Sequence, residues 1–102
     1  MKEILLHGLG QSASSWRGTI EAMGTGFDVF CPSFSQWLEK KDPSYATLYQ
    51  ALERCCGQFD QPLNLCGLSL GGMLALQYGI EHPEKVNALV LIGTQFRAPK
   101  GL

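Results

Sequence analysis

The sequence predicts an α/β protein, a three-layer sandwich in which helices flank a parallel sheet of about four strands. Two observations carry that reading. Short apolar runs alternate with amphipathic stretches along the chain, the βαβα order that a parallel sheet requires. The last run, Val86-Asn87-Ala88-Leu89-Val90-Leu91-Ile92, is apolar at almost every position, the pattern of a strand covered on both faces. The 102 residues are enough for one domain, 1–102, and too few for two.

Taken in order, Ile4-Leu5-Leu6 reads as the first strand and Gly8 to Ser12 as a loop. Ser14 or Ser15 stands where a cap would open a helix, with Trp16, Ile20 and Met23 at helical spacing and Gly24 and Gly26 ending it. Phe27 to Cys31 reads as the second strand, stopped by Pro32. Ser33 to Lys41 reads as a loop presenting two aromatics, Phe34 and Trp37, which could line an acyl pocket or cover the sheet. Asp42-Pro43 has the form of a helix start, a capping carboxylate followed by proline. Tyr45, Leu48, Leu52, Cys55 or Cys56 and Phe59 then trace one face. Leu63 to Cys66 is a third strand, Leu70 to Glu81 a helix carrying Met73, Leu74 and Tyr78, and Val86 to Ile92 a fourth strand.

Charge removes several functions. Eight Lys+Arg against nine Asp+Glu give a formal net charge of −1 with no basic run, which argues against nucleic-acid binding. No apolar stretch approaches the ~20 residues of a membrane helix. Met1 to Leu6 is too short an apolar lead for a signal peptide, so a soluble, cytoplasmic protein is expected. Cys31, Cys55, Cys56 and Cys66 form no C-x-x-C pair and read as reduced, mostly buried thiols, with no metal site expected.

The chemistry lies in Gly67-Leu68-Ser69-Leu70-Gly71-Gly72, which follows a strand and opens a helix. This is a G-x-S-x-G nucleophile elbow in its proper context. A sharp turn there would hold Ser69 strained with its Oγ above the sheet, while Gly67 and Gly71 leave room for strand and helix to meet. The loop His7-Gly8-Leu9-Gly10 follows the first strand. Backbone N–H groups from the Leu9 region and from Leu70 could together bind an oxyanion, and losing one such donor costs about 3–4 kcal/mol of transition-state stabilisation.

On His-Gly-x-Gly at 7–10, the elbow at 67–71 and the His82-Pro83-Glu84-x-Val86 turn, the chain resembles the α/β-hydrolase superfamily, within it the small carboxylesterase and acyl-transfer branch. The resemblance spans the chain and implies the N-terminal half of that fold, with strands in the order second, first, third, fourth. It implies Ser69 as nucleophile, Leu9 and Leu70 as oxyanion donors, a small ester or acyl substrate, and no cofactor. Cys31-Pro32-Ser33-Phe34-Ser35-Gln36 departs from the family's usual Asp-x-x-Gly-x-Gly-x-Ser loop.

A serine nucleophile needs a base and an acid, and in this family both follow it in sequence. Downstream of Ser69 the histidine is His82, thirteen residues along the helix, roughly 20 Å away at ~1.5 Å per residue. His7 reads as structural. The chain is therefore expected to hold the nucleophile and oxyanion half of an esterase. Two other functions compete. Gly8-x-Gly10-x-x-Ala13 matches a dinucleotide fingerprint, but the second strand lacks the terminal acid that holds the ribose. A non-catalytic, hydrolase-derived interaction half-domain is the other. Finally, Val86–Ile92 lacks the charges or proline that blunt an edge strand. It should be covered by the C-terminal tail, a separate polypeptide or, as the preferred expectation, a second copy in a homodimer.

Overall fold

The computed structural model describes residues 1–93. Its elements run β1 (Lys2–Leu6), a 3-10 turn (Ala13–Trp16), α1 (Arg17–Met23), β2 (Asp28–Phe30), α2 (Phe34–Trp37), α3 (Tyr45–Gly57), β3 (Leu63–Leu68), α4 (Leu70–Glu81) and β4 (Val86–Ile92). The four strands form one parallel sheet in the order β2-β1-β3-β4, as the resemblance implies. β1 and β3 are central neighbours, with Leu5 opposite Cys66 and Leu6 opposite Gly67. Their C-terminal ends, where the motifs begin, therefore lie side by side.

The main core fills the space between the sheet and α3 and α4. Ile4 and Leu6 of β1 and Leu63 and Leu65 of β3 meet Leu48, Leu52, Leu74, Ala75 and Tyr78. Each large aliphatic buried there contributes about 1.5–3 kcal/mol. On the other face Thr19 and Met23 of α1 share a groove with Leu5, Cys66, Ala88 and Val90, which makes the third layer.

Several local expectations are corrected. The first turn opens at Ser12 rather than Ser14 or Ser15: Ser12 is extended, and its N–H donates to Ser15 Oγ at 3.3 Å. β2 is shorter than 27–31. The stretch after it is not all loop. Phe34 to Trp37 forms a short helix, because Phe34 donates its N–H to His7 Nε2 at 3.0 Å and buries its ring against the imidazole. Phe34, read as presented by a loop, is 5% exposed. α3 starts at Tyr45, not at Pro43, since the Ser44 hydroxyl accepts the Thr47 N–H at 3.2 Å. It ends at Gly57, so Phe59 packs on the core from beyond the helix.

β4 keeps its expected bounds but is not buried on both faces. Leu89 and Leu91 lean on the core, while Val90 and Ile92 on the opposite face are 52% and 45% exposed. The physical reason is position: β4 is the last strand of the sheet, and α4 covers it on one side. The tail over 94–102, one expected cover, lies outside the described residues.

Candidate functional site

Ser69 occupies the single residue between β3 and α4, with φ 55° and ψ −113°. A non-glycine residue held there costs about 1–3 kcal/mol and persists only where its surroundings dictate it. They do so from three sides. The Ser69 N–H donates to the Ile92 carbonyl of β4 at 3.0 Å, and its own carbonyl accepts the Met73 N–H of α4 at 3.0 Å. The glycines allow β3, α4 and β1 to converge. A Cβ on Gly67 would stand 2.3 Å from the Gly71 oxygen, and one on Gly71 would stand 2.3 Å from the Leu6 oxygen and 2.6 Å from that of His7. No side chain fits at either position. The sequence reading of these two glycines matches that geometry.

Ser69 is exposed, and among the described residues nothing hydrogen-bonds its hydroxyl. The loop after β1 lies beside it: a Cβ on Gly8 would come 3.4 Å from Ser69 Cβ and 3.4 Å from the Leu68 oxygen. Leu9 follows, its side chain 82% exposed. Leu70 opens α4, and the first N–H groups of a helix have no partner within it. Ser69, Leu70 and the Gly8-Leu9 segment are thus brought to one point at the top of the sheet. There the N-terminal dipole of α4 favours developing negative charge.

The loop is braced by two residues. Gln11, which sequence reasoning passed over, accepts the Gly8 N–H on Oε1 at 2.9 Å and donates its own N–H to the Gly8 carbonyl at 3.2 Å. His7 is buried, with Nε2 accepting from Phe34 and Nδ1 lying 2.8 Å from the Gly8 oxygen. Since Nε2 is an acceptor, the ring proton sits on Nδ1 and is donated to Gly8. Both nitrogens are committed to backbone, so His7 links the loop to α2 and is not offered to Ser69. His82 lies at the far end of α4, with Nε2 2.9 Å from Glu53 Oε2. Trp37 stacks on Phe34 and lines a groove of about 280 Å³ with Phe30, Lys41 and Arg54, on the β2 side of the molecule.

A family model for the alpha/beta hydrolase fold matches residues 4–101. The chain belongs to that family. It is 28% identical over 94 residues to the pimeloyl-[acyl-carrier protein] methyl ester esterase of Aeromonas hydrophila, covering 89% of this chain and 37% of that protein. The enzyme of the same description from Nitrosomonas europaea is 26% identical over 91 residues, covering 89% and 36%. Among solved structures, the thioesterase domain from the curacin biosynthetic pathway superposes with a TM-score of 0.80 at 23% identity, over 98% of this chain and 40% of that one. At that identity the likeness concerns the fold alone. This hydrolase-family chain spans little more than a third of the length of the curated relatives it matches.

Proposed function

We propose that the chain carries the nucleophilic half of an esterase that cleaves carboxylic esters through an acyl-serine on Ser69. The observation that supports it most is the exposed, strained Ser69 held beside the Gly8-Leu9 loop at the head of α4. In this reading Ser69 Oγ attacks the ester carbonyl and gives its proton to a base outside the described residues. The N–H groups of Leu9 and Leu70 hold the resulting oxyanion. The base then returns the proton to the departing alkoxide, and water releases the acid by the same path in reverse.

The relatives named for a methyl ester of a carrier-bound acyl group favour esters of small alcohols as substrates. Among the described residues no helix is long and apolar enough to cross a membrane, and all four cysteines are free. A cytoplasmic setting suits those thiols. The half-exposed outer strand suits a homodimer in which two copies of β4 pair around a two-fold axis.

Ser69→Ala in the full-length protein should reduce turnover of short p-nitrophenyl esters to background, with the fold intact by circular dichroism. Retained turnover would remove Ser69 from the mechanism and leave the binding half-domain as the better account.

A further inference from the structure

At the end of α4 opposite Ser69, side chains from two helices converge. Glu53 comes from α3, Glu81 is the last residue of α4, and His82 caps it. His82 Nε2 stands 2.9 Å from Glu53 Oε2, and one ligand atom from each of the three lies within 4.8 Å of the other two. We propose that Glu53, Glu81 and His82 form a surface site for a zinc-class divalent cation that clamps α3 to α4.

The ligand chemistry fits. A tetrahedral zinc ion with bonds of ~2.0–2.2 Å sets neighbouring ligand atoms about 3.3 Å apart, so small rotations of flexible side chains would close the shell. One imidazole with two carboxylates is a mixed N/O set that suits zinc, whereas magnesium prefers an octahedron of oxygens. His82 and Glu53 are part-exposed, which leaves water access to a fourth position.

The groups behind the ligands are already arranged. The Tyr49 hydroxyl donates to Glu81 Oε1 at 3.0 Å and Gln77 Nε2 donates to Oε2 at 2.9 Å, while Tyr45 donates to Gln77 Oε1 at 2.7 Å. The Tyr78 ring stacks on His82 at 4.5 Å. Outer contacts of this kind fix the orientation of metal ligands. Charge points the same way: among the described residues neither carboxylate pairs with a lysine or arginine. On binding, the metal would displace the Nε2 proton that now faces Glu53, and Nε2 would present its lone pair to the metal.

The site stands roughly 18 Å from the elbow along α4, at ~1.5 Å per residue, so the test is independent of esterase chemistry. The full chain, stripped of metal by a chelator, is titrated with zinc chloride alone by calorimetry while the melting temperature is followed. One saturable site is expected, with a melting temperature that climbs with free zinc. Affinity should fall at least tenfold in both Glu81→Gln and His82→Gln, and persist in a Cys31→Ser, Cys66→Ser background. Absence of a saturable site, unchanged affinity in both variants, loss of binding in the serine background, or equally tight binding of magnesium chloride would each overturn the assignment.

Discussion

Cys56 has no room to ionise. It is fully buried on the core-facing side of α3, and its thiol is pushed up to about 12, first by burial and then by the adjacent Cys55 thiol. Burial also raises Cys31, Cys55 and Cys66. The thiolate is the nucleophile toward alkylating agents. Iodoacetamide at pH 8 should therefore modify half-buried Cys31 and Cys66 first and reach Cys56 only on unfolding, as read by peptide mass spectrometry. The linkage runs in one direction. Below pH about 9 both folded and unfolded chains keep the proton and the stabilisation is complete; between 9 and about 12 the unfolded chain loses its proton first and stability declines. Ser69 and its flanking glycines were readable in sequence because their chemistry is local. The bracing of Gly8 by His7 was not readable in full, because it depends on Phe34, whose place over the imidazole is set by a contact across the fold.

α4 and β4 match their sequence bounds because strong apolar patterns end at Ser69, His82 and Gly93. α2 was invisible: four residues are too few for periodicity to register. At the junction of α4 with β1 the two backbones approach closely. Gly71→Ala would drive a methyl group into the Leu6 and His7 carbonyls, which are backbone and cannot swing aside. Overpacking of this kind costs about 1–3 kcal/mol or more, so the variant should melt several degrees lower and lose ester turnover as the elbow is levered from the Gly8 loop. β4 has the opposite character, with Val90 and Ile92 open to solvent. Light scattering of the chain at high micromolar concentration should report a dimer, and Val90→Lys should shift it toward monomer. A monomer at every concentration would refute pairing along β4.

The sheet order, the three layers and the meeting of both loops at one end follow from the alternation of elements and from the family resemblance. The identity of the base does not, because neither histidine in this chain turns toward Ser69. The 102-residue chain alone should therefore be a poor catalyst. An oxyanion site without a working triad can still provide ~10³–10⁴-fold over the uncatalysed rate, far below a complete hydrolase. A pre-steady-state burst with p-nitrophenyl acetate should be absent or very slow; turnover in the ordinary enzymatic range would mean that His7 or a partner chain supplies the base.

The hydrogen bond from Ser69 to the Ile92 carbonyl also sets a clock. During synthesis Ser69 is made roughly 23 residues before the atom that holds its amide, an interval of about one to five seconds at ~5–20 residues per second. Until then one of the contacts that fix the strained turn is missing, and the growing chain carries Ser69 without its full posture. The posture of Ser69 is thus finished from a distance, by the end of a strand laid down well after the turn it holds.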